Sequence, residues 1–236
     1  MRVVLGIACF AALFCATVFA QSPKGSDKMF EKVHAYLVER EREFSLIPPE
    51  RRVLLKSIAD YAIERQRGKQ PVRLLFVCTH NSRRSQLGQV WSATAAAYYG
   101  LSVPWTYSGG TESTAFNPRA VAALERAGLK LEKTTEDENP IYHVRFGDKG
   151  PVITAFSKTI GNAPNPIRDF CAIMVCATAD RSCPVVPGAA VRFAVPYDDP
   201  KQSDGTPIET KTYDERCRQI AREMLYVMSL LKTPAR

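Results

Sequence analysis

The chain has 236 residues, with 32 Lys and Arg against 24 Asp and Glu, and a formal charge of +8 at neutral pH. Three scattered histidines, and seven cysteines without a Cys-x2-Cys pair, leave no ligand set at structural-zinc spacing. The positive residues are spread along the chain and not interleaved with aromatics, so no nucleic-acid stacking platform is expected. The basic balance suits anionic or phosphorylated substrates.

Met1-Arg2 is followed by an uncharged run from Val3 to Ala20, ending Val18-Phe19-Ala20 before Gln21. A positive start, an apolar stretch and a small residue at the cleavage point predict a secretory signal peptide over residues 1–20, hence export to the periplasm or beyond the cell. The alternative is an uncleaved anchor, the one case that implies a membrane, since the run is just long enough to span a bilayer. Cleavage would remove Arg2, Cys9 and Cys15. Of seven cysteines five would remain, an odd number in a compartment that permits disulfides.

Residues 21–70 read as a linker and a helical extension. Gln21 to Asp27 is polar; from Lys28 to Phe44 apolar residues recur at Phe30, Val33, Leu37 and Phe44, the pattern of an amphipathic helix. Ile47-Pro48-Pro49 breaks it, and Pro49 or Glu50 opens a second helix carrying Leu54, Ile58 and Tyr61 on one face. About forty residues cannot bury a core alone, so this pair is expected to pack on the domain after it.

Arg67 to Pro71 links to a strand over Val72 to Val77, and Arg84 to Tyr99 reads as a helix. Cys78 therefore falls at a strand-to-helix turn, where α/β proteins bind anions, and Arg84 comes after five intervening residues. Such a loop can turn its N–H groups inward, the helix N-terminus adds positive potential, and the hollow fits a tetrahedral oxyanion. The same field favours a thiolate at Cys78. Arg84 can offer two parallel donors to such an anion. Asn81 tolerates positive φ, and the Ser85 hydroxyl can donate toward sulfur. The bland reading is a buried structural cysteine beside a surface arginine.

Further on, a short strand is expected at Trp105 to Ser108, a helix from Pro118 to Ala127 ended by Gly128, and a small hairpin within Pro140 to Ser157 around Gly147 and Gly150. Strands at Ala172 to Cys176 and Val191 to Pro196, then a helix from Tyr213 to Lys232, complete the alternation. The expected fold is three-layer α/β: a short four-stranded parallel sheet with helices on both faces, the N-terminal helical extension and the inserted hairpin. Cys217 shares an apolar stripe with Ile220, Ala221, Met224, Leu225 and Met228 and is read as core, as is Cys171. By composition alone Asp198-Asp199-Pro200 is a solvated turn.

The run Cys78-Thr79-His80-Asn81-Ser82-Arg83-Arg84-Ser85 resembles the phosphate loop of the low-molecular-weight protein tyrosine phosphatases and of the thioredoxin-coupled arsenate reductases, which share a fold. Tyr107-Ser108-Gly109-Gly110-Thr111 with Asn117-Pro118 and Ala120-Val121 extends the resemblance, and Asp198-Asp199-Pro200 resembles the late loop that carries the general acid. It covers about residues 72–231, within a domain placed at 71–236. It implies Cys78 as nucleophile, Arg84 as oxyanion clamp and Asp199 as acid, with Thr79, His80, Asn81, Ser82, Arg83 and Ser85 forming the oxyanion loop and no metal or cofactor. Two positions depart from the usual pattern: His80 stands where a glycine is common, and Arg83 where a second cysteine is common.

Cys176 and Cys183 are spaced like the resolving and shuttle cysteines of the arsenate reductases, which regenerate with thioredoxin. Against that, Cys176 could be a buried hydrophobe at a strand end, or the two could form a structural disulfide. The first expectation is a phosphomonoesterase working through a cysteinyl-phosphate on phosphotyrosine or a small aryl phosphate. The alternatives are arsenate reduction with a thioredoxin-like reductant, and an oxyanion-binding protein without turnover.

Overall fold

A computed structural model describes residues 29–101, 105–183 and 185–232. The expected signal peptide and the linker up to Asp27 lie outside the described residues.

The N-terminal helices are α1 (Glu31–Arg42) and α2 (Pro49–Arg67), joined by one 3-10 turn (Phe44–Leu46). Pro49 opens α2 at its first position, where its missing N–H costs nothing. Then come β1 (Arg73–Cys78), α3 (Arg84–Tyr98), β2 (Trp105–Gly110) and α4 (Pro118–Arg126). Asn117 caps α4 by accepting from the Arg119 N–H at 3.0 Å, with Pro118 at the first position. Three short strands are next, β3 (Lys130–Lys133), β4 (Tyr142–Arg145) and β5 (Ile153–Ala155). The chain closes with β6 (Phe170–Met174), α5 (Ala177–Ser182), β7 (Ala189–Ala194) and α6 (Glu209–Leu230).

The main sheet has four parallel strands in the order β2-β1-β6-β7, as the alternation of apolar runs predicts. From β1 the chain steps one way to β2, and from β6 it steps the other way to β7. Right-handed crossovers in opposite directions put the connecting helices on opposite faces, so α3 covers one and α5 the other. The order reverses at β1, and Cys78 is its last residue. That is the switch point at which open α/β sheets present a crevice.

The expected hairpin is a three-stranded antiparallel sheet, order β3-β4-β5. β3 reads Lys-Leu-Glu-Lys, a single half-buried leucine among charges. It joins by backbone pairing, with Leu131 opposite Val144, and leaves no apolar alternation to find. α5, also unexpected, is only six residues long, too short to show a helical period.

The N-terminal pair is built into the core. Val33, Leu37, Ile47, Leu55 and Ile58 are fully buried. The α1 ring of Tyr36 stacks on Trp91 of α3 at 5.2 Å, and both helices pack on α6. Gly128, at φ 107°, ends α4 where α1 crosses; a Cβ there would come within 2.9 Å of the Lys32 side chain.

Leu37→Ala therefore removes a fully enclosed side chain and should cost about 2–5 kcal/mol in denaturant unfolding. A loss under about 0.5 kcal/mol, typical of surface positions, would mean that the extension only rests on the surface.

Candidate active site

Between Cys78 and α3 every backbone carbonyl of the loop is engaged by a donor from outside it or from its flank. The Cys78 carbonyl accepts from Thr111 N–H at 3.3 Å, and that of Thr79 from Glu112 N–H at 2.8 Å. The His80 carbonyl accepts from the hydroxyls of Ser157 at 2.8 Å and Thr114 at 3.2 Å. Asn81 is met by Gln86 Nε2 at 3.0 Å, Ser82 by Asn117 N–H at 2.9 Å, and Arg83 by Leu87 N–H at 3.0 Å. By contrast, among the described residues the N–H groups of Thr79 through Arg84 donate to no protein acceptor. Carbonyls bound outward and amides left free make a nest for an anion at the start of α3.

Asn81 is the hinge of this turn. It takes φ 46° and is completely buried. Its Oδ1 accepts from the Lys158 N–H at 2.9 Å, and its Nδ2 donates to Ser85 Oγ at 2.8 Å. Because Ser85 Oγ is already accepting, its own hydrogen is free to point at Cys78 Sγ, 3.0 Å away. Cys78 Sγ therefore sits at the end of an ordered donor chain from Asn81 through Ser85. Beneath the loop lies Gly110, where a Cβ would stand 2.5 Å from the Thr79 carbonyl oxygen and 2.2 Å from that of Glu112. Only glycine lets the loop close on β2.

Arg84 and Asp199 meet at the mouth. Arg84 Nη2 lies 2.5 Å from Asp199 Oδ2, and Arg84 Nη1 donates to the Tyr197 carbonyl at 2.8 Å. The other Asp199 oxygen accepts from Lys201 N–H at 3.1 Å, capping the short turn Pro200–Ser203. The neighbouring Asp198 points away: it is 93% exposed and pairs with Arg216 of α6 at 3.2 Å.

The loop's remaining residues separate by direction. Arg83 does not aim its guanidinium at the hollow. Its Nε donates to the Tyr213 hydroxyl at 2.8 Å, and its Nη2 lies 3.4 Å from Asp204. Arg83 thus ties the loop to α6, and what it can offer an anion is its backbone N–H. His80 is half-exposed at the rim, with Nε2 3.5 Å from Glu112. The Ser82 hydroxyl donates to the Ala115 carbonyl at 2.7 Å.

Thr79 faces a second thiol. Its Oγ1 lies 3.5 Å from Cys176 Sγ, just past the strand beside β1, and the same sulfur accepts from Ala179 N–H at 3.3 Å as the N-cap of α5. Cys183 is at the other end of α5 and half-buried, and all five cysteines of the described residues are free thiols. Cys217 and Cys171 are buried in the core, where desolvation pushes the Cys217 thiol up to about 12 and that of Cys171 higher still. Such thiols are inert packing.

Several supporting residues carry no sequence signal. Ser157, Gln86 and Thr114 meet the loop at its carbonyls, which no residue pattern reports. Lys158 is the most unusual of them: its ammonium is buried against neutral partners, Ser108 Oγ at 3.4 Å and the Phe156 carbonyl at 3.2 Å. Burial pulls its pKa down from 10.5 to about 8.

No family model matches the chain. The arsenate reductase of Bacillus licheniformis is 30% identical over 148 residues, which is 61% of this chain and 86% of that protein. The chain belongs to the family of the arsenate reductases. The arsenate reductase of Bacillus subtilis is also 30% identical, over 146 residues and the same shares of each chain. Among solved structures, a low-molecular-weight phosphotyrosine phosphatase from Vibrio cholerae O395 is 13% identical, covering 67% of this chain and 95% of its own at a TM-score of 0.44. That family is enzymatic.

Two outcomes are expected from this geometry. Gly110→Ala should leave a folded protein whose affinity for inorganic phosphate falls tenfold or more, about the cost of a lost hydrogen bond to a charged group. Unchanged affinity by calorimetry would show that the loop amides do not hold the anion. Separately, Lys158 has a lower pKa folded than unfolded, so the folded state binds fewer protons between about pH 8 and 10.5 and stability rises with pH across that window. Relative to Lys158→Met, the wild type should gain on the order of 3 kcal/mol between pH 7 and 10.5 in urea unfolding. A pH-independent difference would contradict the burial of a charged lysine.

Proposed function

We propose that this protein is a thiol-dependent arsenate reductase in which Cys78, Cys176 and Cys183 act in turn. The observation that carries this reading is the approach of Cys176 Sγ to Thr79 of the anion loop, one residue from the nucleophile. The 30% identity to two arsenate reductases supports it.

The loop amides and Arg84 hold the arsenate oxygens, and the Cys78 thiolate attacks arsenic(V), with one oxygen leaving as water after protonation. The Cys176 thiolate then attacks Cys78 Sγ. The S–As bond breaks, its electron pair stays on arsenic, arsenite departs as arsenic(III), and a Cys78–Cys176 disulfide forms. Attack of the Cys183 thiolate on Cys176 Sγ frees Cys78. An external dithiol of the thioredoxin type then reduces the Cys176–Cys183 disulfide.

This sequence places a demand on α5. At a rise of 1.5 Å per residue, its flanking cysteines stand about 10 Å apart along the axis, beyond the reach of a disulfide. The helix must unwind for the second bridge to form, and a six-residue helix has little to resist that.

A second reading, phosphomonoester hydrolysis, is favoured by the Arg84–Asp199 contact. Binding of an anion in the fork of Arg84 would release Asp199, leaving a carboxyl at the mouth to protonate an ester oxygen, with water cleaving the cysteinyl-phosphate afterwards. Phosphotyrosine or a small aryl phosphate would then be the substrate.

One variant separates the readings. With a dithiol donor, Cys176→Ser should lose arsenite production by at least about a thousandfold while any aryl phosphate hydrolysis persists, and Cys78→Ser should lose both. Arsenate turnover at the wild-type rate in Cys176→Ser would exclude the relay. Aryl phosphate hydrolysis without arsenate turnover in the wild type would leave the phosphatase reading in its place.

A further inference from the structure

Tyr197 links the mouth of the site to a part of the chain that lies outside the family's motifs. Its backbone faces the chemistry: the carbonyl accepts from Arg84 Nη1 at 2.8 Å, the N–H donates to the Val175 carbonyl at 3.1 Å, and Asp199 comes two residues later. Its side chain faces the opposite way, into the protein. The hydroxyl donates to Glu223 Oε2 of α6 at 2.8 Å, and the same carboxylate oxygen accepts from Arg51 Nε of α2 at 2.9 Å. The Arg51 guanidinium also lies over the Tyr197 ring, 4.7 Å from its centre.

All three groups are enclosed. The Arg51 side chain is 15% exposed and that of Glu223 2%, and Tyr197 is buried. A carboxylate in such a place needs its cation, because alone it would be an uncompensated buried charge. Tyr197 therefore keeps its partner only while α2 supplies Arg51. The ring is gripped from two sides, by a hydrogen bond in its plane and a cation over its face. A planar guanidinium suits both contacts at once.

We propose that Arg51, on the N-terminal helical extension, is a positioning residue of the active site, acting through Glu223 and Tyr197 on the Arg84–Asp199 pair. On this view the extension completes the site that the shared domain only outlines. The proposal rests on the reading of Arg84 and Asp199 as groups that serve at Cys78. It predicts that loosening Arg51 leaves the anion loop intact, because Asn81, Ser85 and Gly110 hold that loop without it, and disturbs only where the arginine and the acid point.

The experiment uses the protein from Gln21 onward as wild type, Arg51→Met, Arg51→Lys, and the double variant Arg51→Met with Glu223→Gln, which leaves no unpaired buried charge if the single variant folds poorly. Two readouts are taken well below each unfolding temperature: steady-state turnover of arsenate and of an aryl phosphate, and amide hydrogen exchange by mass spectrometry. Expected in the folded Met variants is a fall in kcat of about tenfold with KM within about threefold, and partly restored turnover in Arg51→Lys, which keeps the charge but not the planar group. Exchange should quicken in peptides spanning residues 195–204 and stay at the wild-type rate in β1 and α3.

Wild-type kcat and wild-type exchange over 195–204 in either Met variant would overturn the proposal. So would faster exchange spread evenly over the molecule, the mark of a merely stabilising ion pair. If the wild type turns over neither substrate, the functional reading fails by itself, and the exchange pattern alone then decides whether Arg51 holds the Tyr197 segment.

Discussion

A loop that is to present its N–H groups to an anion must dispose of its carbonyls elsewhere, and that requirement organises this protein. An unmet buried carbonyl costs about 1–3 kcal/mol, so six of them could not be left to chance. The partners come from separate parts of the chain: Thr111 and Glu112 after β2, Asn117 at the cap of α4, Ser157 after β5 and Gln86 on α3. The small antiparallel sheet has its role here, delivering Ser157 and Lys158 to the loop's outer side. The turn is held by the protein's own groups, which lowers the reorganisation that binding an anion would otherwise require.

The same economy explains the glycine and the asparagine. Gly110 clears the space in which the loop closes on β2, and Asn81 supplies a left-handed residue whose amide is bonded at both ends. A single backbone reversal thereby fixes three things at once: the direction of the free amides, the orientation of Ser85 Oγ, and the position of Cys78 Sγ at the switch point of the sheet. His80, next to it, carries none of these duties, which is why a half-exposed side chain is tolerated there. Arg83 likewise gives up a cysteine's chemistry for an anchor on Tyr213 and Asp204.

How much of this could be read in the sequence depends on the range of each interaction. The individual strands of the parallel sheet, α3 and the motif from Cys78 to Ser85 are local, and periodicity and spacing report them directly. The burial of α1 and α2 was legible as a deficit, since so short a pair cannot enclose its own apolar face. β3 was not legible, because its pairing is made by backbone and its side chains are mostly charged. Nor were Ser157, Gln86 and Lys158, whose roles are set by contacts 5 to 77 residues away along the chain. The direction taken by Arg83 depended on Tyr213, 130 residues distant, and no local rule distinguishes an arginine facing an anion from one facing a tyrosine.

The two chemistries proposed for this loop share a first step. Thiolate attack on a tetrahedral oxyanion gives the same kind of adduct whether the central atom is phosphorus or arsenic; the fate of that adduct depends on which atom is more readily reduced and on which nucleophile arrives next. Phosphorus(V) does not accept an electron pair from a thiol, so its adduct waits for water. Arsenic(V) does, provided that a second sulfur can reach the first. The proposed second sulfur, Cys176 Sγ, stands beside Thr79 and caps a helix of six residues. Cys176 is buried at that cap, so the proposed relay needs α5 to open, while the carboxyl of Asp199 is held across the mouth by Arg84. On the proposed readings the outcome depends less on the loop, whose free amides suit either anion, than on the relative freedom of α5 and of the segment around Tyr197.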